Sequence, residues 1–213
     1  MSSLPIVWRL GHPSDPVGFV PHDLCSWTYR FDDPKREYRT LYVAEERLTC
    51  FLEIFQDLRP NAEALALYSQ LSDAGDGLDE HMAGVITAAH LANRVLCEAE
   101  IAPQSACVLH LAHMPVRLEF ARKLAVLMVR LGIQYLDLGD IQGNNRQLTQ
   151  AISRRAFEDA YDVIHFPSKL DGVSCYVLFE NRALLALRGE PVVLTVDMPE
   201  IQMVCALFGL RMA

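Results

Sequence analysis

Long apolar runs are missing from this 213-residue chain. The longest, such as Tyr176-Val177-Leu178-Phe179 and Pro191-Val192-Val193-Leu194, fall far short of the ~18 to 20 residues of a membrane-spanning helix, so no such helix is expected. The first residues, Met1 to Arg9, hold neither a basic leader nor the roughly 7 to 15 apolar residues of a secretory signal, and the expected location is the cytoplasm. Positive charge is also in short supply: 19 Lys and Arg stand against 27 Asp and Glu, a formal net charge of −8. That balance argues against nucleic-acid backbone binding as the main business, while leaving room for a local basic pocket that takes a small anion.

Spaced motifs are equally scarce. Cys25, Cys50, Cys97, Cys107, Cys175 and Cys205 contain no Cys-x-x-Cys pair, which speaks against a zinc or redox motif and for thiols buried in the core, not joined in disulfides. His110 and His113 have the spacing of a metal-binding pair, but no Cys, Asp or Glu lies close in sequence to complete a set, so no metal site is expected. There is no Gly-rich phosphate loop, no Gly-x-Ser-x-Gly elbow and no His-Glu-x-x-His.

What the chain does have is a core. Hydrophobic residues make up 51% and charged residues 22%, without repeats or low-complexity tracts. This is the composition of a packed globular protein whose length fits one domain of about 100 to 200 residues. Residues 1–39, rich in Pro, Gly and Asp, read as mostly loop after a short strand at Ile6–Arg9. A strand is predicted at Thr40–Ala44. A helix follows at about Glu45–Leu58, where Leu48, Phe51, Leu52 and Phe55 repeat at helical spacing before Pro60. Further helices are predicted at Ala62–Leu71 (followed by a loop at Asp73–Gly77), Thr87–Glu98, Val116–Leu131, from Asn144 or Asn145 to about Ala160, and Met198–Leu207. Strands are predicted at Ala106–Leu111, Val163–Phe166, Cys175–Glu180 and Val192–Val196, the last after a turn at Gly189. The elements do not alternate strictly, so the expected class is α+β, a central mixed β-sheet flanked by helices.

Three polar residues sit in unusual settings. Arg30 lies in an aromatic, turn-rich stretch, where a surface pairing with Asp32 or Asp33 competes with a functional role. Glu53 points away from the apolar stripe of its helix, beside Glu46, Thr49 and Asp57, a position that normally means a solvated face. Ser168 follows Phe166-Pro167 and opens a Ser-Lys-Leu-Asp-Gly segment of ordinary turn residues.

Taken in order, the segments that carry these residues resemble the RES family. The family is named for its Arg, Glu and Ser and includes toxins of Xre–RES toxin–antitoxin pairs. Tyr29-Arg30-Phe31-Asp32, Leu41-Tyr42-Val43-Ala44 and Cys50-Phe51-Leu52-Glu53 are similar to its first blocks. Thr149-Gln150 resembles its Thr-Gln helix, His165-Phe166-Pro167-Ser168 its strand ending in Ser, and Cys175 to Glu180 the strand that follows. The chain differs in having Thr28-Tyr29-Arg30-Phe31 where many members have Gly-Gly-Arg-Trp, and Lys169 where many have Arg. Its middle segment, about 60–106, is longer than in compact toxin members, within an expected single domain over 1–213.

The resemblance implies an ADP-ribosyltransferase-like fold and an enzyme that breaks the nicotinamide–ribose bond of NAD. Such an enzyme is an NAD glycohydrolase or phosphorylase, commonly a toxin; a protein ADP-ribosyltransferase or an inactive scaffold is the alternative. NAD would be a substrate and not a resident cofactor, and an Xre-type antitoxin or self-association would supply protein partners. The implied roles are Arg30, assisted by Arg9, on the pyrophosphate, where a planar guanidinium donates to two oxygens at once. Tyr29 and Tyr42 would line the substrate, Tyr42 stacking on nicotinamide. Glu53 would face the developing positive charge. Ser168 would orient ribose or phosphate by hydrogen bonding, because no His or Lys is identifiable as a base for a serine nucleophile.

Overall fold

The protein is described from a computed structural model over residues 4–60, 63, 66 and 84–213. Strands β1 (Ile6–Gly11), β2 (Thr40–Ala44), β4 (Val95–Ala102), β5 (Val108–His110), β6 (Val163–Pro167), β7 (Ser174–Phe179) and β8 (Leu184–Val193) form one sheet, in the order β5-β6-β7-β2-β1-β4-β8. β5 and β6 run parallel and every other neighbouring pair antiparallel. β3 (Val85–Ile86) and β9 (Arg211–Met212) make a separate parallel pair. The described helices are α1 (Arg47–Phe55), α2 (Ala88–Ala92), α3 (Met114–Lys123), α4 (Ala125–Arg130), α5 (Leu138–Gln142), α6 (Arg146–Glu158) and α7 (Pro199–Phe208). The class is α+β, a mixed sheet with flanking helices.

The two faces of the sheet are built differently. Successive strand residues point to opposite faces. Leu10, Ala44, Leu96, Ile164, Phe166 and Val177 meet the buried stripes of the helices, among them Phe51 and Phe55 of α1, Ile152 of α6 and Ile201 of α7. Val7, Leu41, Val43, Ala99, Val163 and Leu178 form a second, smaller cluster that contains no helical residue and is closed by Val17 and Phe19 of the N-terminal loop. Local signals fix the helices that matter most here. α1 buries Phe51, Leu52 and Phe55 and tightens into a 3-10 turn at Gln56–Leu58 before Pro60. The Asn145 side chain caps α6 by accepting the Leu148 amide at 3.2 Å, as an N-cap should. α7 stops at Gly209, whose φ of 63° is the left-handed turn that favours glycine.

Several expectations are corrected. The helix expected over Thr87–Glu98 is only the short α2, after which the chain turns and enters β4. That strand is held on both sides, by β1 and β8, and pairing on two edges outweighs the helical spacing of Ala88, Leu91, Ala92 and Val95. The middle segment therefore supplies a strand of the sheet itself. The single helix expected over Val116–Leu131 is broken at Leu124, so that Phe120 and Met128 enter the core while Leu118 stays exposed. Gly189 is not a turn before a strand but lies inside β8 at φ 68°, opposite a register slip between Leu96 and Glu98, the signature of a β-bulge. The helix expected at Ala62–Leu71 and the loop at Asp73–Gly77 lie outside the described residues. All six cysteines are free; Cys50, Cys97 and Cys175 are buried, Cys25 and Cys205 partly so, and Cys107 is exposed, against expectation. Among the described residues no helix is long and apolar enough to cross a membrane.

Candidate functional site

Glu53 leaves α1 on the flank of its buried stripe and is half-buried. One carboxylate oxygen, Oε1, accepts a hydrogen bond from Ser168 Oγ at 2.8 Å, and the other, Oε2, from Gln56 Nε2 at 2.9 Å. Ser168 sits just past the end of β6 and is fully buried. Its amide donates to Val173 O at 2.8 Å, its Oγ accepts the Leu170 amide at 3.1 Å, and its carbonyl accepts from Gln142 Nε2 at 3.0 Å. The loop after Ser168 is tied to α1 a second time, because Thr49 Oγ1 donates to Asp171 Oδ2 at 2.6 Å. The turn chemistry read at Ser168 is therefore present, and it serves to aim the hydroxyl at Glu53.

Arg30 is brought to the same place by a heavily braced loop. Asp32 accepts the Tyr29 amide at 2.8 Å and the Thr40 hydroxyl at 2.8 Å. The Tyr42 hydroxyl accepts the Phe31 amide at 2.9 Å. From α6, Gln150 donates to the carbonyls of Trp27 and Tyr29, and Ser153 donates to that of Phe31 at 2.6 Å. Asp32 is thus engaged elsewhere, as is Asp33, which accepts the Lys35 and Glu37 amides and pairs with Arg154, and Arg30 is no surface ion pair: it is 9% exposed. Its Nη1 donates to the carbonyls of Ile141 and Gly143 at the end of α5, the latter at 2.7 Å. Among the described residues the Nε–Nη2 edge makes no hydrogen bond, and that edge is a fork suited to two oxygens of one phosphate or carboxylate.

Two further cations join it, and sequence reasoning missed both. Arg146 opens α6, and its Nη1 is buried without a hydrogen-bond partner. Lys169 follows Ser168 and has its pKa pushed down, first by burial and then by repulsion from Arg30, Arg146 and Arg59, with Glu53 opposing. Arg30 is also pushed down, by burial and then by Arg146. Among the described residues Arg30, Arg146 and Lys169 form no salt bridge, so these cations repel one another without an ion-pair partner, with Glu53 as the carboxylate acting on Arg30 and Lys169. Crowding like charges in this way costs stability in the free protein and is relieved by an anion. The signal available in the sequence was Lys169 itself, adjacent to Ser168; nothing local marked Arg146.

The remaining expected residues divide. Tyr42 lines the helical face of the sheet, with its hydroxyl spent on Phe31 and its ring edge-on to Tyr29 at 6.0 Å between centroids. Burial and the neighbouring Asp32 raise the Tyr42 pKa well above the usual phenol value, so the hydroxyl stays protonated. Tyr29 is 59% exposed beside Arg30. Arg9 is not brought to the group. By strand alternation it shares the face of Val7 and not that of Trp8, and its guanidinium donates to the carbonyls of Pro16, Gly18 and Tyr42. It braces the N-terminal loop.

Two thiols lie near Glu53. Burial pushes the pKa of Cys50 up to about 12 and that of Cys175 higher still, with Glu53 adding to both, which leaves neither as an ionised nucleophile. Among the described residues no three His, Cys, Asp or Glu side chains are placed to hold a metal. Two surface hollows, one lined by Val129, Ile133 and Tyr135 and one by Phe19, Arg39 and Leu184, include none of the candidate residues. What marks the site is convergence of polar side chains.

Comparison with known proteins places this geometry in context. Residues 6–197 match the RES domain family. No curated protein matches the chain. Among solved structures, the chain is similar to one in the crystal structure of the M. tuberculosis MbcT–MbcA toxin–antitoxin complex, at 15% identity and a TM-score of 0.56, over 97% of this chain and 90% of that one. At that identity the likeness is one of fold.

Proposed function

The chain belongs to the RES family, and from that premise we propose that it is an NAD-cleaving enzyme that breaks the nicotinamide–ribose bond. The observation that carries the reading is the half-buried Glu53 carboxylate set beside Arg30, Arg146 and Lys169. NAD has the matching layout: an anionic pyrophosphate and, one ribose away, a positively charged ring whose departure leaves positive charge on the sugar. The cations suit the first and the carboxylate suits the second.

Bond breaking needs no acid, because the electron pair of the C–N bond neutralises the ring nitrogen of the leaving nicotinamide. The sugar becomes oxocarbenium-like, and Glu53 stabilises that charge as carboxylates do in glycoside hydrolysis. Water or inorganic phosphate then attacks the same carbon. With water, the proton released as the new C–O bond forms is taken by Glu53 and passed to solvent. Ser168, fully buried and donating to Glu53, orients that carboxylate; this replaces the role of holding ribose or phosphate that the family resemblance implies.

The structurally similar chain comes from a toxin–antitoxin complex, and the same biological setting, with a protein antitoxin as partner, is proposed here. Incubating the purified protein with NAD, with and without phosphate, and identifying products by mass tests the chemistry. Free nicotinamide with ADP-ribose or its 1-phosphate supports it, and intact NAD after prolonged incubation sinks it.

A further inference from the structure

Gln56 stands outside the segments that carry the family resemblance, yet it holds one half of the Glu53 carboxylate. Its side-chain amide reaches back across the 3-10 turn and donates twice to the same residue, to the Glu53 carbonyl at 2.8 Å and to Oε2 at 2.9 Å. An NH₂ group has two hydrogens, so both bonds are satisfied at once and together they close a ring that fixes the glutamate side chain. The backbone of Gln56 is held in turn: its main-chain carbonyl accepts from Arg59 Nε at 2.8 Å, and the Arg59 guanidinium lies over the Phe208 ring at 5.1 Å.

A glutamine three residues after a glutamate on an open helix surface is a weak contact and fixes little. Here the glutamate is half-buried and its other oxygen is already held by Ser168 from the end of β6. Each oxygen has one neutral donor from a different element, which leaves one lone pair on each for a hydroxyl or water of the substrate complex. The choice of donors matters as much as their number. An amide and a hydroxyl orient a carboxylate without cancelling its charge, whereas a Lys or Arg in the same place would pair with it and blunt its field. The cations of the site lie near Glu53, but no hydrogen bond joins them to it.

We propose that Gln56 is a positioning residue that, with Ser168, clamps the Glu53 carboxylate in its working orientation while leaving its negative charge free. The inference rests on the NAD-cleaving reading for its kinetic consequence but not for its structural one. Gln56→Leu, close in size and without the donor, is expected to lower kcat by about tenfold or more, since small misplacements of reacting groups are costly, with KM within about twofold and an unchanged melting temperature. Gln56→Lys, which restores a donor but neutralises the carboxylate, is expected not to rescue kcat.

The readout independent of activity is the carbon-13 resonance of the Glu53 carboxylate, identified by its loss in Glu53→Gln, which should move in Gln56→Leu. Wild-type kcat together with an unmoved resonance in Gln56→Leu overturns the proposal, as does full activity in Gln56→Lys. If the wild type releases no nicotinamide, the NAD reading fails, while the resonance still decides whether Gln56 holds Glu53. If Gln56→Leu does not fold, the Gln56→Lys kinetics decide.

Discussion

Glu53→Gln exchanges a charge for a shape, and that makes it the most informative single change. The amide can keep one of the two hydrogen bonds that Ser168 and Gln56 now make, so the fold should survive. Turnover of NAD at saturation should fall by at least ~10²-fold, because only the charge is stronger in the transition state than in the ground state; a wild-type rate would remove Glu53 from the mechanism. Arg146 predicts an opposite movement of two observables. Its Nη1 is buried without a partner and it repels Arg30 and Lys169, so Arg146→Ala should leave the melting temperature unchanged or raise it. The same variant should raise KM, because a charge-assisted bond to phosphate is worth roughly 1.5 to 3 kcal/mol. A lower melting temperature with unchanged KM would make Arg146 structural. At this scale the sequence was informative about identity and poor on surroundings. Arg30, Glu53 and Ser168 could be picked out in advance, but Arg146 is joined to them only by the fold, and the engagement of Arg9 with Pro16, Gly18 and Tyr42 has no local signature.

Among the elements, three adjacent strands gather a cluster that the candidate chemistry does not use. β5, β6 and β7 bring His110 within 3.2 Å of His165, and His165 within 3.0 Å of Ser174 Oγ, with His113, Tyr176 and Glu45 around them. Burial, then the neighbouring His110, pushes the pKa of His165 down to about 4 from 6.5, with Glu45 opposing and His113 adding to the effect. The unfolded chain therefore takes up a proton at a pH where the native one does not. Stability should be lost as pH falls from about 6.5 towards about 4, and below that window this contribution should change no further. His165→Gln, which can still bond Ser174, should flatten the melting temperature against pH through that window relative to wild type; parallel curves would count against it.

α1 was legible from its helical spacing, α6 from its Asn cap, and β2, β6 and β7 as short β-prone runs. β4 was not, although Cys97, Ala99 and Ile101 alternate with Glu98 and Glu100 in strand fashion. The helical spacing of Ala88 to Val95 ran straight into it, and Glu98 and Glu100 meet Arg188 of β8 across the strand pair. The bulge at Gly189 was hidden for the same reason, since a glycine with φ > 0 marks a turn and a bulge alike.

On the scale of the whole molecule, a net charge of −8 surrounds a local concentration of positive side chains. Producing the wild type in cells without a restraining partner should deplete NAD and arrest growth, whereas equal amounts of soluble Glu53→Gln should do neither. Arrest that persists in the variant would separate toxicity from NAD cleavage. The candidate site is also drawn from widely separated parts of the chain. Glu53 and Ser168 are 115 residues apart, and Arg30 reaches carbonyls 111 and 113 residues away. Contacts of such long range form late, after the intervening chain is available. A nascent polypeptide on the ribosome carries Arg30 and Glu53 through most of its synthesis with nothing to align them, and becomes competent only once Ser168 and the β7 strand that backs it have emerged. Chains that end before Ser168 lack the hydroxyl that holds Glu53, so the site is assembled only in a polypeptide that has been made at least that far.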